Sequence, residues 1–207
     1  MSSIILVANT LVSTPTVGQM EYDGKVQTFT TQAGNRGIIP NEMFFRLDAD
    51  LVGADSTAVQ NIFGVGITLQ SNTIYEFCLS GALVKTVGAV AASITVSFGG
   101  THTRNNISWN IQNLYSGVAY PTSAQSGGLI SGTNLNSIAI TSSASSALIS
   151  VPFFIQGTVS VNAGGTFIPQ YLLSAAPGGA YSTKLGSHIK IKPIGVSGAN
   201  INIGGWA

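Results

Sequence analysis

Charge is what this sequence has least of. Eight residues of 207 are Lys or Arg and seven are Asp or Glu. The charged fraction is therefore 7%, against about 25% in an ordinary soluble domain. A net charge of +1 gives no basic footprint for nucleic acid. A hydrophobic share of 44% with so little charge is the reverse of a disordered chain. The single cysteine, Cys78, rules out an intrachain disulfide and argues against a small secreted scaffold. It lies in the apolar stretch Ile74 to Leu79 and reads as a small buried hydrophobe rather than a nucleophile. Long apolar runs are missing too. Ile4 to Ala8 is a run of five with no basic residue before it, so no signal peptide is expected. No stretch approaches the ~20 residues of a membrane span, and manufacture and assembly in the cytoplasm are expected. Helical periodicity is lacking, which excludes a coiled coil, and no βαβ alternation suggests a parallel sheet.

Gly, Ser, Thr, Asn and Gln fill the place of the missing charge. The few charges are sorted along the chain. Every acid lies at or before Glu76, no charged residue occurs from Asn105 to Thr183, and Lys184, Lys190 and Lys192 close the sequence. Surface charge keeps proteins soluble and monomeric. A chain with a 79-residue uncharged block is expected to bury that surface against partners, as an obligate oligomer or an assembly component.

Strand patterns are frequent. Alternating or apolar stretches predict strands at 26–30, 43–47, 63–69, 73–87, 93–98, 138–141, 148–161, 167–173, 188–192 and 201–203. Asn162-Ala163-Gly164-Gly165 predicts a hairpin between Thr158–Val161 and Phe167–Leu173. The one helical candidate is Ser56 to Ile62 after Asp55 as N-cap, with an irregular loop as the alternative. Ala119 to Asn136 reads as a long loop and Ser142 to Ala147 as an exposed turn. The expected fold is all-β: an antiparallel β-sandwich or jelly roll of about nine or ten strands. Residues 1–13 would be an N-terminal arm, and 14–207 a single domain.

Catalytic signatures are absent. There is no G-x-S-x-G, H-E-x-x-H, C-x-x-C, P-loop or G-x-G-x-x-G. His102 and His188 are far apart in sequence and read as surface or edge residues. Asp48, Asp50 and Asp55 put three carboxylates within eight residues. They are candidates for Ca²⁺ ligation, but the spacing is not an EF-hand and a solvated loop is the preferred reading. The same acids are candidates to meet the late lysines across a subunit contact. Nothing marks a carboxylate pair for sugar hydrolysis, so no catalysis, metal or cofactor is expected. Trp109, Tyr115 and Tyr120 stand beside Asn and Gln, as exposed aromatics at an interface or sugar site do; packing into the domain is their alternative.

The stretch Thr14-Pro15-Thr16-Val17-Gly18-Gln19-Met20-Glu21-Tyr22-Asp23-Gly24 resembles a recurring module of tailed-phage virion proteins, in which Asp-Gly introduces a hairpin. The likeness continues through Gly34-Asn35-Arg36-Gly37-Ile38-Ile39-Pro40, Phe45-Arg46-Leu47, Gly64 to Leu69, Thr73 to Phe77, Phe98-Gly99-Gly100-Thr101 and Asn105-Asn106-Ile107. It covers about the first half of the chain. The resemblance implies a virion structural protein. In fibres the module trails a long attachment region, whereas thirteen residues precede Thr14 here. The expectation is thus a homotrimeric capsid decoration or cement protein bracing the major capsid protein. A receptor-binding tail-fibre or tail-tip module recognising host glycan is the alternative. Residues Ser3 to Val12 would then be an arm adding a strand to a neighbour.

Overall fold

A computed structural model describes residues 5–32, 34–114, 127–133, 137–141, 145–198 and 200–204. Among these the chain is all-β and contains no helix. In chain order the strands are β1 (Met20–Tyr22), β2 (Gln27–Gln32), β3 (Asn35–Ile39), β4 (Met43–Arg46), β5 (Leu51–Val52), β6 (Gln60–Asn61), β7 (Ile67–Leu69) and β8 (Thr73–Lys85). They continue with β9 (Ile94–Gly99), β10 (Arg104–Leu114), β11 (Gly127–Thr133), β12 (Ser137–Ala139), β13 (Ile149–Val161), β14 (Gly165–Leu173), β15 (Ser182–Thr183) and β16 (His188–Val196).

Three antiparallel sheets result. The small one is the meander β1-β2-β3. Its first turn is the expected Asp23-Gly24 hairpin, where the Asp23 carboxylate accepts the N–H groups of Lys25 and Val26 at 2.8 and 2.7 Å. The large sheet runs β11-β10-β13-β8. The far edge of β8 is then shared by β16 and β15, with β4 outside β16 and β5 outside β15. The third runs β12-β9-β14, and β6 and β7 share the far edge of β14.

The core lies between the large and third sheets. Alternation on β8 turns Tyr75, Phe77, Leu79 and Leu83 inward, and on β13 Ile149, Val151, Phe153 and Ile155. From the third sheet Phe98 and Phe167 meet them, with Phe77 ring centroids 5.1 and 5.4 Å away. Two glycines mark the closest approaches in this ladder. Along the β8–β13 ladder Gly81 faces Phe153, and Gly157 faces Phe77. A Cβ on Gly157 would collide with the Ser108 carbonyl and lie 2.6 Å from the Trp109 Cβ. Glycine in a strand interior marks such a close approach.

Several expectations change. The chain after Val161 does not fold back as a hairpin. Asn162 N–H donates to the Thr103 carbonyl (2.9 Å) and Thr103 N–H to the Ala163 carbonyl (3.0 Å), so the turn hands the chain to the third sheet. The 56–62 segment is not a helix, because Asp55 accepts the Gly178 N–H (3.0 Å) instead of capping it. The Ile62 N–H donates to the Pro169 carbonyl at 2.9 Å. Within the expected 119–136 loop, residues 127–133 form β11, paired from Ser108↔Thr133 to Leu114↔Gly127. Residues 201–203 form no strand; Ile201 instead covers Gly195, whose Cβ would meet its Cδ1 at 2.7 Å. Strand 63–69 shrinks to β7. Residues 5–12 have no strand pairing, but they are tied to the small sheet by the Asn9 N–H donated to the Tyr22 carbonyl (2.9 Å) and the Val12 N–H donated to Glu21 (2.9 Å).

Replacing Phe77 by alanine removes the ring on which both sheets meet. The expected loss is about 3–5 kcal/mol, read from urea unfolding. Phe44→Ala, at a site 57% exposed, is expected to cost under about 1 kcal/mol by the same measurement.

Candidate functional site

The aromatic candidates separate. Trp109 is a core residue, 2% exposed on β10, with its ring edge-on to Phe98 at 5.0 Å and 86°. Its place between Ile107 and Ile111 on the inward face of β10 fixes it there, so it offers no exposed ring to a sugar or partner. Tyr115 and Tyr120 lie outside the described residues.

The three loop carboxylates do not converge. Asp48 pairs with Arg46, Asp50 with Lys184 and the Leu185 N–H (2.8 Å), and Asp55 with the Gly178 N–H. Among the described residues no group of three or more His, Cys, Asp or Glu side chains is placed to hold a metal. Asp50 and Lys184 are paired within the one chain. The Lys184 hydrogen bond, helped by the Leu185 N–H, holds the Asp50 carboxyl below the usual aspartate value. Glu21 is held low in the same way, first by Arg36 and then by the Val12 N–H.

The other reactive side chains are each engaged in packing. Cys78 is half-buried, and burial pushes its thiol pKa up, away from the thiolate range a nucleophile needs. Tyr171 donates to the Gln60 Oε1 at 3.0 Å, and burial raises its phenol to about 12. Lys85, 1% exposed, donates to the Gly88 carbonyl at 2.8 Å beneath the Tyr181 ring, and burial lowers its pKa. His102 holds the Thr166 carbonyl at 2.8 Å through Nδ1 and stands edge-on to Phe167. Burial lowers its pKa, which favours the neutral ring. His188 sits instead on β16 against Phe44, with centroids 5.6 Å apart.

What the surface does present is apolar. The inner faces of β4 and β16 and the segment 63–68 diverge at one side of the molecule. They leave a cavity of about 300 Å³ between the sheets. Met43, Phe45, Val65, Ile67, Phe167 and Ile191 are among its walls. Met43, Phe44, Phe45 and Val65 remain 37, 57, 36 and 45% exposed. The charged residues on and beside β4 and β16 are paired: Arg46 with Asp48, Lys190 with Glu42 at 3.0 Å and Lys192 with Glu76 at 3.0 Å. Sequence reasoning named the 43–47 strand but not the seam beside it, because a cavity between two sheets depends on strands far apart in the chain.

Glu21 titrates lower in the folded chain than in the unfolded one. Its pairing thus contributes stability above about pH 4, and this is lost as the pH falls through its folded value. The deficit of Glu21→Gln in thermal midpoint should be present at about pH 6 and shrink toward about pH 3. A deficit unchanged with pH would mean that the Arg36 pair contributes nothing. No protein-family model and no curated protein matches the chain, so its functional reading rests on its residues and their arrangement.

Proposed function

We propose that this chain is a structural protein of a tailed-phage virion: a homotrimer that decorates the capsid and braces the major capsid protein. In this reading the two packed sheets are a sandwich of the jelly-roll kind, and the work of the protein is assembly rather than catalysis.

One observation carries the reading. Five ion pairs within the chain take ten of its fifteen charged residues. The exposed surface thus carries few unpaired charges, Asp55 among them, and it holds large apolar side chains such as Phe44, Val52, Val65 and Leu185. Surfaces of this kind mark interaction sites, because exposed apolar patches are normally small and net charge is what keeps monomers apart. The uncharged block contributes less to this surface than its composition suggests, since alternate residues of β10, β13 and β14 within it are core. The tail-module alternative keeps only Tyr115 and Tyr120 of its aromatic contacts, Trp109 being buried.

A protein that binds the closed shell but not its free subunits stabilises the particle by mass action. Native mass spectrometry should therefore return three times the 21.3 kDa chain mass. Adding the protein to undecorated shells should raise the temperature at which they open. A soluble monomer that leaves shell opening unchanged would sink the proposal. A few trimers per particle, rather than many, would place the protein in the tail.

A further inference from the structure

The open seam between the sheets and the first described residues of the chain are complementary. β4 pairs with β16 on one edge only among the described residues, so its other edge offers unpaired N–H and C=O groups. Behind that edge lies the cavity of about 300 Å³, and among the described residues Thr68 supplies the only polar side chain in its lining. A small-molecule site would need a few convergent polar groups, and a metal or a sugar would need more. A free strand edge over an apolar pocket suits an extended peptide whose alternate side chains are aliphatic.

The chain carries such a segment. Ile5 and Val7 are 80 and 79% exposed, and two-residue spacing puts both on one side of an extended strand. Residues 5–8 precede the Asn9 anchor, have no strand partner, and belong to a stretch with no charged residue before Glu21. The charges at the rim of the seam are paired, Lys190 with Glu42 and Arg46 with Asp48, and Lys190 lies 5.9 Å over the Phe44 ring.

We infer that residues 5–8 of a second copy of this chain add to the free edge of β4, seating Ile5 and Val7 in the cavity between β4 and residues 63–67. The contact is heterologous, arm of one copy to edge of the next, and such contacts close into a ring of three when each copy is turned by a third of a revolution from the last. Pairing of two β4 edges would instead be isologous and stop at two chains. The inference rests on the homotrimer reading and specifies its interface.

The test uses the full chain in a Cys78→Ser background. Val7→Cys combined with Val65→Cys should give, under mild oxidation, covalent species up to three chains, and neither single cysteine should do so. Ile5→Asp with Val7→Asp should lower the trimer fraction in native mass spectra by about tenfold or more. Far-UV circular dichroism should stay unchanged, because both side chains are exposed within their own chain. Trimers that persist in the aspartate variant without any ladder in the cysteine pair would overturn the inference and leave the homotrimer standing. Covalent dimers from Val65→Cys alone would overturn it in favour of edge-to-edge pairing. A parent chain that is monomeric would remove the homotrimer reading, and this interface with it.

Discussion

The fold depends on one ladder. β8 and β13 pair without interruption from Thr73↔Val161 to Lys85↔Ile149. Both strands lie inside the large sheet and alternate apolar side chains toward the same core. Slipping such a ladder by one residue would turn every inward side chain to the other face. The glycines make the register stricter still. Gly81 must stand opposite Phe153, and Gly157 between Phe77 and Trp109. A Cβ at Gly81 would stand 3.0 Å from the Phe153 Cζ, and one at Gly157 2.6 Å from the Trp109 Cβ, so neither place accepts a side chain. β10, β15 and β16 take their positions from the two edges of this ladder, and the third sheet takes its own from the rings the ladder presents.

The sorting of charge along the sequence has its physical cause in the same topology. β16 comes late in the chain but pairs with the early strands β4 and β8. Lys192 stands directly opposite Glu76 in the ladder, and Lys190 reaches Glu42 just before β4. Lys184 follows β15 while Asp50 precedes β5, so their pair closes the end of that short ladder. Exposed pairs of this kind contribute about 0–1 kcal/mol each. Their larger effect is on specificity, since opposite charges favour one cross-strand alignment and like charges oppose others.

Long apolar alternation was legible in the sequence, and β8, β9 and β13 were found from it within a residue or two. β10 carries the same signal in Ile107, Trp109 and Ile111. It was hidden because Asn and Ser occupy the outward positions and read as loop. That alternation would also have placed Trp109 in the core. β5, β6 and β15 are two residues long, too short for any period to register. The turn after Val161 misled for a different reason. Asn-Ala-Gly-Gly specifies a tight reversal, but whether the next strand returns to its own sheet or passes to another is decided by Thr103, nearly sixty residues earlier. The seam beside β4 was illegible for the same cause, since its walls come from four separated stretches.

The long separation between β8 and its partners has a consequence during synthesis. When β8 leaves the ribosome neither β13 nor β16 exists, and domains fold as units only once their parts are present. Until residue 161 emerges, β8 with its inward Tyr75, Phe77, Leu79 and Leu83 lacks its full-length partner, and the stretch being added beyond Arg104 brings no charge to shield it. Non-local pairing of this sort is slow to form. The interval in which this protein is most exposed to chaperones and to aggregation is therefore set by the order in which its strands are made.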